Sequence, residues 1–230
     1  MAKFDRDFME EMKPKLDVDV IGVAPVVLPT PQKLTGMADS LLPGVKSVVV
    51  LGKEIFKEVV ALLRPCKEVG EAENGDLLGP HCDYINARLN RAIYELAGLL
   101  RQDGYRTLPL PAAGCPYDQR FLKAIFSFKH AAQAAGLGSI GRHSLLIAPE
   151  YGPRLRLACL LTEAPLEPSP VQNRDFCVDC DACIRECPAE ALHMPGNDEA
   201  YSMNKFACQA YRRAGLTCAV CVKACDEILG

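Results

Sequence analysis

"FCVDCDACIRECPAEAL", residues 176–192, places Cys177, Cys180, Cys183 and Cys187 within eleven positions and follows the last with Pro188. Four further cysteines stand downstream: Cys208, then Cys218-x2-Cys221-x3-Cys225. The chain has 230 residues, 12 cysteines and a formal net charge of -3, and 49% of its residues are hydrophobic. A chain of that length and composition buries a proper core and does not need disulfides as a small secreted scaffold does. The opening "MAKFDRDFMEEMKPK" is charged throughout and has no apolar signal-peptide stretch, and no apolar run reaches membrane-spanning length. Such a cysteine-rich chain is expected in a reducing cytoplasm, without membrane contact, where cysteines read first as metal ligands. The near-neutral charge offers no electrostatic footprint for nucleic acid.

The run Cys177-x2-Cys180-x2-Cys183-x3-Cys187-Pro188 has the spacing established for bacterial ferredoxins, a known signature and not a deduction from geometry. Its physical sense is that three thiolates at steps of three wrap one cubane, each sulfur reaching a different iron. The fourth points away, toward a second cluster that needs its own ligands. Read crosswise, one [4Fe–4S] cluster falls on Cys177, Cys180, Cys183 and Cys225. The other falls on Cys187, Cys208, Cys218 and Cys221. A nine-residue gap separates Cys208 from Cys218, and "NKFACQAYRRAG" (204–215) reads as a helix that delivers Cys208 and ends at Gly215. The competing reading is a pair of four-cysteine zinc sites, but zinc requires neither the third cysteine at the next step nor the reciprocal fourth.

A composition break at "TEAPLEPSPVQNRDF" (162–176), with Pro165, Pro168 and Pro170, puts a boundary near residue 168. It divides a first domain, 1–168, from a second, 169–230. In the first, "DVIGVAPV" (19–26), "VKSVVVLG" (45–52) and "YRTLPL" (105–110) read as strands. Residues 83–103 read as a helix with Asp83 as its cap and an apolar stripe of Ile85, Leu89, Ile93, Leu96 and Leu100. A second helix is expected from Asp118 or Gln119 to Ala135, then two strands around the turn at 149–153. Alternating elements of this kind favour a sheet covered by helices. Cys66, Cys82, Cys115 and Cys159 have no metal spacing; Cys159, in an apolar strand, reads as core.

The stretch "FSFKHAAQAAGLGSIGRHSLLIAPEYGPRLRLACLLTEAPLEP" (126–168), with "LLPGVKSVVVLG" (41–52) and the cysteine pattern, resembles the epoxyqueuosine reductase and reductive dehalogenase superfamily. The resemblance implies an α+β fold: a nitroreductase-like α/β sandwich that binds cobalamin, then a small ferredoxin-like domain with two [4Fe–4S] clusters. By the same resemblance Gly136, Gly138, Ser139 and Gly141 line the corrinoid, with Lys129, His130 and Arg154 beside it. Asp118 and His130 are the catalytic candidates, as proton donors. Tyr117, Lys129, His143 and Tyr151 are further donor candidates. Arg142, Arg154 and Arg156 are candidates for holding corrinoid carboxamides or an anionic substrate. Each has a plainer alternative: a helix cap and tight turn for the glycines, solvated helix or strand faces for the lysine, histidine and arginines, a surface or capping role for Asp118. The sequence ends five residues after Cys225, so a compact member without the C-terminal helical-repeat extension is expected, one that does not grip tRNA and carries no twin-arginine leader.

Three functions follow. The first is a cobalamin- and iron–sulfur-dependent reductase of a small molecule or modified nucleoside, fed by an external donor such as ferredoxin or flavodoxin. The second is an FMN-dependent iron–sulfur reductase, since nitroreductase-like folds also bind flavin. The third is an electron carrier that reduces a partner corrinoid protein. A homodimer is a modest expectation from the nitroreductase-like fold.

Overall fold

The structure, a computed structural model, describes residues 4–26, 32–64, 74–113, 115–171, 174–178, 180–214 and 218–229. Along the chain run α1 (Arg6–Leu16), β1 (Val20–Pro25), α2 (Gln32–Leu41), β2 (Ser47–Glu54) and α3 (Lys57–Ala61). There follow α4 (Leu78–Gln102), β3 (Thr107–Leu110), the short strands β4 (Tyr117–Asp118) and β5 (Lys123–Ala124), and α5 (Phe128–Ala134). The remainder holds β6 (Ser139–Ile140), β7 (Leu146–Ile147), β8 (Leu155–Thr162), α6 (Ala182–Arg185), β9 (Leu192–His193), β10 (Ser202–Met203), α7 (Lys205–Arg213) and α8 (Val220–Leu229). This is a mixed α/β chain. Among the described residues no helix is long and apolar enough to cross a membrane.

Two compact units are each assembled from three segments. The first comprises Met1–Lys53, Ile85–Leu137 and Arg156–Asn173; the second comprises Glu54–Tyr84, Gly138–Leu155 and Arg174–Gly230.

The first unit is built on a four-stranded sheet in the order β1-β2-β8-β3. β1 runs antiparallel to β2, with Val20 opposite Gly52 and Val23 opposite Val49. β3 runs antiparallel to β8, with Thr107 opposite Thr162. In the central strands Val48 to Leu51 and Ala158 to Leu161 are fully buried, residue after residue. Both faces of those strands are therefore covered, as their unbroken apolar runs require. The three expected strands form, Cys159 is buried in β8, and the stripe Ile85, Leu89, Ile93, Leu96 and Leu100 is buried on α4.

Two expectations about helices are corrected. α4 begins at Leu78, so Asp83 lies inside it and is not its cap. Pro80 suits the first turn, where a backbone N–H has no helical acceptor to lose. The helix expected from residue 118 or 119 shrinks to α5, and a hairpin occupies its first part, β4 antiparallel to β5. Asp118 causes the difference. Its Oδ1 accepts from the backbone N–H groups of Arg120 (2.8 Å) and Phe121 (3.2 Å), closing a turn that competes with a helix. Leu122, at φ 49, completes the reversal.

In the second unit α6 packs on α8, and α8 also packs on α3. β9 and β10 form a short antiparallel ribbon, His193 opposite Ser202. The expected helix around Cys208 is α7, capped by Asn204, whose side chain accepts from the N–H of Ala207 at 3.1 Å. Its expected end at Gly215 lies outside the described residues, as does Cys66. The strands expected around 149–153 meet at a single bridge, Ala148 with Gly152. β7 pairs instead with β6, and β8 joins the sheet of the first unit.

Candidate metal centre

Short helices sort the cysteines of the second unit. Cys177 and Cys180 lie on an irregular loop, and Cys183 lies on the single turn of α6, entered through Asp181 at φ 53. Cys187 follows α6, four residues after Cys183. On α8, Cys221 and Cys225 repeat that four-residue step. Residues four apart on a helix share a face, about 6 Å apart along the axis, so α8 offers two sulfurs in line.

The groups fall out crosswise. Cys177, Cys180, Cys183 and Cys225 line one small cavity, together with Arg142, His143, Phe176 and Asp181 among others. Burial pushes the Cys225 thiol up to about 12, and the charges of Cys183, Cys177 and Cys180 add to it. Burial pushes Cys183 up to about 11, with Cys177 and Cys180 as its charged neighbours. Cys221, pushed up to about 12 by burial, feels Cys218, Cys208 and Cys187 before Cys183. Cys208 is raised by burial and by Cys218 and Cys187, while Arg212 lowers it. Thiols so placed resist ionising together; a multiply charged metal centre would supply the compensation that a shared thiolate state needs.

The glycine segment meets this group of cysteines within the same unit. Ser139 Oγ donates to Asp175 Oδ1 at 2.9 Å and accepts the N–H of Phe176 at 2.8 Å. Asp175 Oδ1 also accepts the N–H of Cys177 at 2.9 Å. The Arg142 guanidinium pairs with Asp181. Burial raises the Cys177 thiol, and the backbone N–H of Arg142 donates to it and pulls it down. Arg154 is buried, its Nε donating to Asp226 Oδ1 at 2.6 Å and its Nη1 held by Glu54 and by the Ile55 carbonyl. It thereby pins α8 one residue past Cys225.

Gly136 and Gly138 are required, but by the chain itself. A Cβ on Gly138, at φ 156, would lie 2.1 Å from the Ile147 carbonyl oxygen. One on Gly136, at φ 73, would lie 2.1 Å from that of Pro170. One on Gly141 would lie 2.6 Å from Ile147 Cδ1.

The remaining candidates are dispersed. Asp118 sits on the exposed hairpin, and its hydrogen bonds from Arg120, first the side chain and then the backbone, hold its carboxyl below the usual range. Tyr117 is exposed beside it. Lys129 and His130 are half-buried on α5, His130 Nδ1 lying 2.5 Å from Ser127 Oγ. Tyr151 offers its carbonyl to the Arg154 N–H at 3.0 Å, and Arg156 Nε donates to Asn86 Oδ1 at 2.9 Å. Cys82 and Cys115 are half-buried.

Sequence reasoning missed Asp175, Asp181, Asp226 and Glu54. Only Asp175 left a signal: an aspartate two residues before a ligand cysteine is placed to bond that cysteine's own backbone N–H.

No family model matches the chain. It is 38% identical over 102 residues to a tetrachloroethene reductive dehalogenase of Desulfitobacterium hafniense, covering 43% of this chain and 16% of that one. It is 47% identical over 64 residues to an epoxyqueuosine reductase of Synechococcus sp. (strain CC9605), covering 28% of this chain and 20% of that one. The matched stretches are thus a fifth or less of those relatives' lengths. A solved reductive dehalogenase, described as suggesting a mechanism for B12-dependent dehalogenation, shares the fold at TM-score 0.70 and 20% identity, over 95% of this chain and 31% of that one. The chain is thus similar in sequence, over part of its length, to reductive dehalogenases and epoxyqueuosine reductases, and it shares its fold with a solved reductive dehalogenase.

Proposed function

We propose that the chain is an iron–sulfur oxidoreductase that relays single low-potential electrons through two [4Fe–4S] clusters to a corrinoid, which reduces a small molecule or modified nucleoside. The crosswise sorting of the thiols carries this reading: Cys225 shares a cavity with Cys177, Cys180 and Cys183, while Cys221 keeps company with Cys187, Cys208 and Cys218. The residues fit cubanes. A mononuclear zinc site needs its sulfurs drawn to about 2.3 Å from one point, whereas a cubane spreads them over separate irons. Bound clusters supply one-electron transfer at low potential. The chain's own groups then bury the centre, hold its loop through Ser139 and Asp175, and fix α8 through Arg154. The electron donor is an external carrier such as a ferredoxin or flavodoxin.

For the corrinoid, the support is the likeness to relatives; three of the residues first expected beside it have close neighbours within this chain. Gly136 and Gly138 meet carbonyls of this chain, and Arg154 is committed to Asp226 and Glu54. Those contacts favour a second reading, in which the electrons pass to a separate corrinoid protein. Anaerobic reconstitution distinguishes the readings. About eight irons per chain are expected, as two four-iron clusters require, and cobalamin retained under reducing conditions supports the first reading. Eight irons with no retained cofactor, and reduction of a corrinoid protein in trans, support the second. Flavin released on denaturation replaces the corrinoid with FMN. Zinc in place of iron overturns all of them.

A further inference from the structure

We propose that His143 donates a hydrogen bond from Nε2 to the sulfurs of the centre held by Cys177, Cys180, Cys183 and Cys225, and thereby raises that centre's reduction potential. The proposal rests on the two-cluster reading above and names a residue that tunes one cluster of the pair.

His143 is 2% exposed, and it lines the same cavity as those four cysteines. Its tautomer is fixed locally. The backbone N–H of Leu145 donates to Nδ1 at 3.1 Å, so Nδ1 is an acceptor and the proton of the neutral ring is on Nε2. Nε2 is itself shielded from solvent. The ring lies against the preceding turn, over Gly141. A Cβ added at Gly141 would lie 3.0 Å from its Cε1, and the turn is closed by the Ser144 N–H donating to the Gly141 carbonyl at 2.8 Å. The neighbouring residue already serves the same centre, since the Arg142 N–H donates to the Cys177 sulfur.

The chemistry follows from where charge goes on reduction. An added electron raises the negative charge on the cluster's sulfurs, so a fixed N–H donor stabilises the reduced state more than the oxidised one. In a solvent-shielded cavity the effect is stronger than in water. Deleting the donor must therefore lower the potential of this centre and leave that of the other as an internal reference.

The test uses the full chain, reconstituted anaerobically and labelled with 15N-histidine. Pulsed EPR of the reduced wild type is expected to show a weakly coupled 15N, and His143→Gln is expected to abolish it. In a potentiometric titration, His143→Leu should lower the reduced-to-oxidised ratio of one centre about tenfold at fixed potential, about 59 mV for one electron. His143→Gln keeps an N–H donor and should recover most of that loss. An unchanged potential in His143→Leu overturns the proposal, as does a 15N coupling that persists in His143→Gln. Should His143→Leu fail to take up its cluster, the labelled wild type and His143→Gln decide the matter alone. A wild type that takes up no iron–sulfur centre removes both this proposal and the reading beneath it, whereas two intact clusters without 15N coupling remove this proposal only.

Discussion

Single residues differ sharply in what they tolerate, and the reason is the distance to the next backbone atom. At Gly138 a Cβ would sit 2.1 Å from a carbonyl oxygen, at a φ of 156 that side chains avoid. Gly138→Ala is expected to cost at least about 3 kcal/mol or to abolish folding, read from the denaturation midpoint. Gly98 is the opposite case. It lies inside α4 with nothing within 4 Å of its Cβ position, so Gly98→Ala should stabilise by about 0.5–1 kcal/mol in the same assay. At Asp118 the quantity to watch is pH. Its folded carboxyl lies below the usual 3.8, so its bonds to Arg120 and Phe121 are intact above that value and are lost as pH falls through the lower folded value. Amide shifts of Arg120 and Phe121 that moved at or above pH 3.8 would contradict this. The residue at 118 was legible as a surface aspartate or a helix cap, and in the structure it closes a turn. That outcome depended on a side-chain bond that competes with the helix, and periodicity does not register such bonds.

At the scale of elements, one buried arginine governs a helix that serves both proposed clusters. Arg154 holds Asp226 on α8, and α8 carries Cys221 and Cys225. Arg154→Met leaves Asp226 and Glu54 without their cation and should cost about 3–5 kcal/mol, the usual penalty for breaking a buried pair. Because α8 contributes a sulfur to each group, iron content should fall at both centres together, measured by metal analysis and by the two EPR potentials. Loss confined to one centre would show that Arg154 does not act through the helix. The strands β1, β2 and β3, the buried stripe of α4 and the helix around Cys208 could all be read directly from apolar runs and periodicity. The partners of Arg154 could not. Glu54 and Asp226 lie 100 and 72 residues away along the chain, and nothing local marks them.

For the whole molecule, the two units predict unequal dependence on metal. The first buries Val48 to Leu51 and Ala158 to Leu161 completely without using any of the eight cysteines. The second surrounds its thiols with short helices and little sheet, and its order should lean on the centres they hold. Stripping iron with a chelator should therefore leave amide exchange in β2 and β8 slow while exchange in α6, α7 and α8 accelerates strongly. Equal loss of protection in both units would refute that division. What the sequence by itself determined is whatever depends on spacing along the chain: the cysteine steps, the buried strands, the apolar stripe of a long helix. Tertiary structure alone decided that Glu54–Tyr84 and Gly138–Leu155 join the cysteine segment in one unit, that Gly136 and Gly138 make room for carbonyls, and that Arg154 anchors a helix. These depend on which distant segments meet, and the free energy of such meetings comes from burial and pairing between residues whose separation in sequence carries no trace of it.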